Sequence, residues 1–408
     1  MTALRLAKRN LRRNKRRTLL TASALTIGLT VLIISRGLLD GIDRQSIRNL
    51  ILYETSYIKG FTKGWLDEDF PNLDYVIPAS DSLLGLVRGL DGVSGAVERL
   101  EISGMLIKCG EEIFVRIIGV DPVHDRDVFQ TLDAISIGET ISSDQPVVLV
   151  GDRLAGDIKL ETGEMITLLV RSAPGALNPR QLVIGGLVST GNPEVDQLTV
   201  YIPFSLAREM SLLPDSATEI DIRLTRLGDV DKVAERLAAV HPEYDWRSWR
   251  YLADDFIQLA RLKRTGSGIM IAIITLVAAV GLANTMVMAV HERTREIGAL
   301  RAMGFSRGMI NAVFLWEGCL IGIMSGFAAL VVGTSVVYYL SIHGISLEAY
   351  RGMDIGYPVQ DAIYAMVKVS TLVQAFIFGI ILSILASWSA ARRAARGEVV
   401  RALREGML

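Results

Sequence analysis

The residue types that could do chemistry in this 408-residue sequence are few and dispersed. Histidine occurs at His124, His241, His291 and His343, and cysteine at Cys109 and Cys319. Zinc sites and nucleophilic catalysis need such side chains in clusters or at helical spacing. No histidine lies within helical reach of another, and His124, with Asp121 and Asp125 beside it, is the one that comes nearest to a ligand or catalytic cluster. The stretch Gly266-Ser267-Gly268 lacks the third glycine of a dinucleotide fingerprint, and no G-x-x-x-x-G-K-[ST] phosphate loop occurs. Asp67-Glu68-Asp69 reads as a solvated loop. The expectation is a chain that is not an enzyme, holds no metal and binds no cofactor directly. One charge is out of place: Glu317 sits at the start of an apolar run. An ionisable group there is either functional or close enough to the membrane interface to take a local partner, with the arginines of 291–308 nearest in sequence.

Those arginines belong to VHERTREIGALRAMGFSRGMI (290–310), a compact charged run between two of the most apolar stretches of the chain. It is too short for a domain and too charged for lipid. The spacing predicts a short helix in which Glu292 meets Arg295 and Arg293 meets Glu296 at i, i+3, with Ile297, Leu300 and Met303 as a small apolar ridge and a break at Gly304. Such a helix, lying along the membrane face with that ridge outward, is a docking element for a partner protein.

The elements around it follow from hydropathy. Residues 18–35, 265–290, 318–342 and 369–391 hold 18, 26, 25 and 23 consecutive uncharged positions, each at or near the ~20 residues a helix needs to cross a bilayer. Four spans are expected, at 18–39, 265–290, 309–342 and 369–391. A large domain at 40–264 separates the first two, a connector occupies 291–308, a loop 343–368 and a tail 392–408. Residues 1–17, 291–308 and 391–408 together carry 17 of the 43 Lys/Arg but 4 of the 44 Asp/Glu, and the remainder carries 26 basic and 40 acidic residues. That asymmetry puts the basic segments and both termini in the cytoplasm and the large domain outside. The basic N-terminus is thus a topology signal, not a nucleic-acid site, and the length of the first apolar run makes it a retained anchor instead of a cleaved signal peptide. Cys109 and Cys319 then lie in different compartments and do not pair.

Within 1–17, Leu4, Ala7 and Leu11 share a face opposite Arg and Lys, which predicts a basic amphipathic helix on the inner membrane surface. Asp40 marks the outer end of the first span, with Arg36 below it. Ile42, Ile47, Leu50 and Ile51 on one side, and Leu252, Phe256 and Leu259 on the other, predict helical stalks at both ends of the large domain. Between them, 105–121 reads as a hairpin turning near Gly110 and 146–170 as strand, short helix, strand. Residues 180–203 read as two strands around a Gly-Asn-Pro turn, and 219–249 as strand, helix, strand. The fold class expected is a four-helix membrane protein with an α+β extracytoplasmic domain inserted between helices 1 and 2. Gly318, Gly322 and Gly326, with Gly333 beyond, form a small-residue face that packs against another span or another subunit.

The stretch ERTREIGALRAMG (292–304) resembles the hallmark of FtsX-like permeases of ABC transporters, whose connector between the second and third spans contacts the ATPase. LRLAKRNLRRNKRRTLLT (4–21), GDRLAGDIKLETGEMITL (151–168) and ARRAARGEVVRALREG (391–406) resemble that family's opening, outer-domain unit and tail. TSYIKGFTKGW (55–65) and IGGLVSTGNPEVDQLTVYIP (184–203) are most similar to the lipoprotein-releasing members, although Ser56-Tyr57 stands where their first stalk often carries Gly-His. The resemblance implies a bacterial inner-membrane permease subunit. Its ATPase-coupling residues would be Glu292, Arg293, Arg295, Glu296, Ile297, Gly298, Leu300, Arg301 and Gly304. It also implies cytoplasmic ATPase subunits that carry the ATP and Mg, a second permease subunit and a periplasmic lipoprotein carrier or adaptor. The activity implied is relay of ATPase motion to the outer domain for extraction of lipoprotein or lipid from the membrane. Two other readings are a mechanotransmitting permease for peptide or small-molecule efflux or for control of a cell-wall hydrolase, and a membrane-anchored enzyme or receptor whose activity resides in the outer domain.

Overall fold

The computed structural model describes residues 2–67, 71–78, 80–142, 146–346 and 362–396. Glu68 and Asp69, residues 347–361 of the expected loop and 397–408 of the expected tail lie outside them. The chain divides into two compact units, one drawing on residues 2–42, 260–345 and 363–396, the other on 43–259 with 346 and 362.

The first unit is helical. It contains α1 (Thr2–Arg13), the first part of α2 (Lys15–Leu50) and, further along the chain, the greater part of a helix at Asp254–Glu292. A short helix at Thr294–Ala302 and two long ones at Arg307–His343 and Val369–Arg396 complete it. Four of these helices are long and apolar enough to cross a membrane, beginning at Lys15, Asp254, Arg307 and Val369. Leu25, Leu29 and Ile33, Leu282 and Met286, Ile310, Phe314 and Ile321, and Ala375 and Ala386 interdigitate as one core. Ser325 Oγ donates to the Ala22 carbonyl (3.0 Å), the kind of side chain to backbone bond that joins helices where apolar burial alone does not. Asp40 is paired with Arg264 and accepts from Thr371 Oγ1 (3.3 Å).

The second unit is α+β. In chain order its remaining helices are α3 (Ser80–Arg88), α4 (Asp125–Val128), α5 (Asp152–Asp157), α6 (Pro193–Leu198), α7 (Phe204–Ser211), α8 (Val230–Val240) and α9 (Trp249–Leu252). The helix at Asp254–Glu292 is then α10, and those that follow are α11, α12 and α13. The strands are β1 (Ile58–Thr62), β2 (Ile77–Pro78), β3 (Val93–Lys108), β4 (Glu111–Val120), β5 (Ile135–Gly138), β6 (Val147–Gly151) and β7 (Met165–Arg171). Then come β8 (Leu177–Val188), β9 (Thr199–Pro203), β10 (Ser216–Ala217), β11 (Glu219–Leu224) and β12 (Tyr244–Ser248).

The sheet runs β12-β1-β11-β3-β4-β9-β6-β8-β5, and β7 pairs with both β3 and β8. Strands β3, β4, β9, β6, β8 and β7 therefore close into a six-membered ring. Alternation fills it: Leu100, Ile102 and Leu106, Val115 and Ile117, Val148 and Val150, Ile166, Leu168 and Val170, Leu182 and Ile184, and Val200 and Ile202 all point inward. Closure leaves those strands without a free edge. At Gly104 a Cβ would meet Ile117 Cδ1 at 2.6 Å and the Leu169 carbonyl at 2.8 Å, so the ring closes around that glycine. The first half of β3 instead pairs with β11 in the four-stranded sheet β12-β1-β11-β3. One face of that sheet is covered by α3 and α8 through Leu83, Leu84, Val87, Val230, Val233 and Leu237.

Several sequence expectations change in detail. The hairpin turns at Cys109-Gly110, both with positive φ, but its first arm begins at Val93, because the same strand serves two sheets. After β8 the chain enters α6 instead of passing straight to the next strand: Asn192 Oδ1 accepts from Glu194 N (3.2 Å) and Pro193 fills the first helical position, an N-terminal signature that the turn reading missed. The second stalk is broken at Ala253 between α9 and α10. The first ends in a π turn over Ile51–Thr55. That turn is held in the second unit by Gln130 N donating to the Leu52 carbonyl (3.0 Å) and Asn192 Nδ2 donating to Glu54 Oε2 (3.1 Å), with Arg116 Nη1 3.6 Å from Glu54 Oε1. Both cysteines are free, and among the described residues no three His, Cys, Asp or Glu side chains could hold a metal ion.

Candidate coupling site

The connector between α10 and α12 is built by two helix breaks. Arg293 leaves α10 with φ −112° and ψ 14°. Helix α11 follows and stops at Met303 before Gly304, whose φ of 92° is open to glycine without strain. Ser306 then caps α12, its Oγ accepting from Met309 N (3.3 Å).

At the first break Arg293 turns inward. Its Nη1 donates to Glu317 Oε1 (3.2 Å) and its Nη2 approaches the Asn10 carbonyl (3.4 Å), while Asn10 Nδ2 donates to the same Glu317 oxygen (2.6 Å). Glu317 is 1% and Arg293 5% exposed. Three segments, α1, the α10–α11 junction and α12, thus meet on one buried carboxylate. Two further ion pairs flank it: Arg17 Nη1 with Glu292 Oε2 (3.0 Å) and Arg13 with Glu296.

The local i, i+3 pairs expected from the sequence are therefore replaced. Glu292, Arg293 and Glu296 all take partners 24 or more positions away, because α1, the start of α2 and α12 supply charges that reach them in better geometry than neighbours on a helix of only nine residues. The apolar ridge is also corrected. Residues spaced by three drift about 60° per step on a helix of 3.6 residues per turn, so Ile297 and Met303 end up about 120° apart. Ile297 and Gly298 are buried, Ile297 within the helical core, whereas Met303 is 69% exposed. Leu300 and Arg301 are half-buried, and Glu292, Arg295, Glu296 and Gly304 are exposed. The surface that α11 leaves uncovered is Arg295, Ala299, Ala302 and Met303. Asn10, Arg13 and Arg17 are the members that sequence reasoning missed. Their one sequence signal is the basic composition of 1–17, which topology already accounts for.

The glycine face of α12 is occupied by α13 of the same chain. A Cβ on Gly318 would lie 2.2 Å from Ser387 Oγ, on Gly322 2.9 Å from Ile380 Cα and on Gly326 2.8 Å from the Phe376 ring; Gly333 faces Ile33 of α2. Ser383 Oγ donates to the Gly318 carbonyl (2.7 Å), an interhelical bond that this close approach permits. The helix carrying Glu317 is thus fixed on its other side.

The α+β unit has its own buried ionic group, for which the sequence reading had no signal. Lys59 Nζ of β1 donates to Glu219 Oε2 (2.7 Å) and lies 3.6 Å from Asp221 Oδ1, both carboxylates pointing from β11 to the same side. Arg99 of β3 forks onto Asp125 at the start of α4 (2.8 and 3.0 Å) and lies over the Phe129 ring. Burial, and then the Glu219 charge, hold the Asp221 carboxyl well above the usual carboxylate range despite Lys59 and Arg99, whereas Lys59 keeps Glu219 below it. In the unfolded chain Asp221 ionises near pH 4. Between that pH and the raised native value the native state therefore binds one more proton than the unfolded state, and stability falls across that window as pH rises. Asp221→Asn removes this loss, and both Asp221 oxygens lack a hydrogen bond to begin with. Thermal unfolding should find the asparagine protein more stable than the parent at pH 8, with the two converging near pH 4. A gap that widens on acidification would contradict a protonated Asp221.

The FtsX-like permease C-terminal family matches residues 268–399, and the MacB-like periplasmic core domain matches residues 18–240, more than half of the chain. A lipoprotein-releasing system transmembrane protein LolC of Neisseria meningitidis serogroup B is 25% identical over 95% of this chain and 94% of its own length. A macrolide export ATP-binding/permease protein MacB of Nitrobacter winogradskyi is 24% identical over 96% of this chain and 58% of its own length. The periplasmic region of MacB from Actinobacillus actinomycetemcomitans covers 52% of this chain and 96% of that structure, with a TM-score of 0.36 and 13% identity.

Proposed function

This chain belongs to the FtsX-like ABC transporter permeases that carry a MacB-like periplasmic core domain, and on that footing we propose that it relays the motion of a separate cytoplasmic ATPase to the α+β domain in order to extract lipoprotein or lipid from the inner membrane. The observation that carries the reading is the knot at Glu317. It binds α11 to α1 and α12, so a force on the exposed face of α11 is transferred to a membrane-spanning helix instead of bending the connector. In this reading α1, α11 and both termini are cytoplasmic, the α+β domain is inserted between the first and second spans on the outer side, and ATP and Mg reside on the ATPase.

The relay uses α2, which continues from the apolar span to the π turn gripped through Leu52 and Glu54. The four spans carry few charges toward their middles, which favours transmitted work over a polar conduit. A second permease subunit and a periplasmic carrier complete the assembly proposed. Lipoprotein is favoured as cargo by the LolC relative, matched over nearly its whole length. The MacB relative supports a second reading, in which the same relay drives efflux of a small molecule or peptide through an adaptor.

The docking test leaves the buried knot intact. Arg295→Glu combined with Met303→Glu should abolish co-purification of the ATPase from membranes while the permease itself still folds and inserts. Undiminished association would remove α11 as the docking element. Identification of the lipid or protein bound to the purified complex separates the two cargo readings, since a bound acylated protein excludes small-molecule efflux as the main activity.

A further inference from the structure

We propose that the outward face of α1 is a binding surface for the phosphate-bearing headgroups of anionic phospholipids, and that these headgroups give the α11 lever its fixed point. The proposal rests on the membrane topology above and adds a partner that the topology does not require. At about 100° per residue, Ala3, Ala7 and Leu11 fall on one side of α1, and that side packs against α12, with Ala7 fully buried. Arg5, Lys8, Arg9 and Arg12 fall on the opposite side and are all exposed. Among the described residues none of these four takes part in an ion pair, whereas Arg13 and Arg17 are committed to Glu296 and Glu292.

The position of this face selects its occupant. Exposed Lys15 and Arg16 continue the charge into the first turn of α2, and one turn later Leu19 and Leu20 are each 70% exposed on a helix apolar enough to span a bilayer. Cation therefore gives way to exposed hydrocarbon within about one helical turn, the pattern of a segment at the headgroup level. An amphipathic anchor normally buries its apolar face in lipid. Here α12 has taken that face, so attraction to the membrane comes from charge alone and must depend on lipid charge and on salt. The C-terminal residues 397–408 do not match the surface, since Glu398 and Glu405 are offset by Arg401 and Arg404. Held by headgroups on one side, and on the other joined to α11 through Arg13 and to the α10–α11 junction and α12 through Asn10, α1 would keep the lever from sliding when it is pushed.

The test uses the full-length protein in nanodiscs of phosphatidylcholine mixed with phosphatidylglycerol, with retained lipid counted by native mass spectrometry. The parent should enrich phosphatidylglycerol, and more weakly at high salt. Arg5→Gln/Lys8→Gln/Arg9→Gln/Arg12→Gln should lose the enrichment, by about five-fold for each cation removed near the surface. Arg5→Lys/Arg9→Lys/Arg12→Lys keeps the charge and should keep the enrichment, which decides the matter even if the glutamine protein folds poorly. Enrichment that survives in the glutamine protein overturns the proposal. So does a glutamine protein that loses its ATPase equally in both lipids, since the face would then dock a protein, or enrichment that disappears when residues 397–408 are removed. If the parent enriches phosphatidylglycerol but retains no ATPase, the permease reading fails and the lipid surface stands.

Discussion

Arg293→Ala should lower the unfolding midpoint of the full-length protein more than any other single substitution in the α1–α11–α12 knot. Removing one partner of a buried ion pair costs about 3–5 kcal/mol, because the other charge stays in a medium that does not solvate it. Glu317 would keep Asn10 alone as a donor, and Asn10 lies on a helix that Arg293 itself helps to hold. The exposed pairs Arg13–Glu296 and Arg17–Glu292 are worth much less, within the range of about 0–1 kcal/mol for solvated ion pairs. Arg293→Ala/Glu317→Gln should recover most of the loss, since it removes the stranded charge and leaves an amide that still meets Asn10. Thermal unfolding in detergent reads the stability. Hydrolysis against transport reads the function: with Arg295 and Met303 untouched, the ATPase should stay bound and hydrolyse ATP, yet deliver less work. A single variant as stable as the parent would mean that the knot is not what holds α11.

The second large effect lies in the α+β domain. Arg99 is 1% exposed and Asp125 is fully buried. The guanidinium satisfies both Asp125 oxygens, donates to Thr131 Oγ1 (3.2 Å) and covers the Phe129 ring. Arg99→Met keeps much of the volume and removes every one of those donors. A loss of about 3–5 kcal/mol is expected for the same reason as at Glu317, and here no second cation comes within ion-pair distance of Asp125 among the described residues. Arg99→Met/Asp125→Asn should be markedly less damaging than Arg99→Met alone, because the coupling between two members of one buried network makes their substitutions non-additive. Protease resistance and thermal unfolding of the full-length proteins measure both. Equal damage in the single and double variants would show that packing over Phe129, not the charge pair, is what Arg99 supplies.

Both effects concern groups whose partners are distant in the chain, and that is where sequence reasoning reached its limit. Glu317 was identifiable as an anomaly because a charge in an apolar run needs no partner to be conspicuous. An arginine of 291–308 was the partner expected for it, and Arg293 is that arginine; Asn10, 307 positions away, was not visible. Lys59, Glu219 and Asp221 were still less visible: each alternates correctly along a strand, and nothing local marks that side of the sheet as covered.

Apolar run lengths, charge asymmetry and strand alternation determined by themselves that this chain has four helices fit to cross a membrane, a large α+β domain and a charged connector carrying a family signature, because each is a property of consecutive residues. Only the tertiary structure decided that six strands, β3 among them, close into a ring, that the charges at the connector bind α1, α2 and α12 instead of each other, and that Ile297 turns inward while Met303 turns out. Ring closure and long-range ion pairing depend on which segments meet, and electrostatic energy goes to whichever opposite charge arrives with the better geometry, however far away in the sequence it lies.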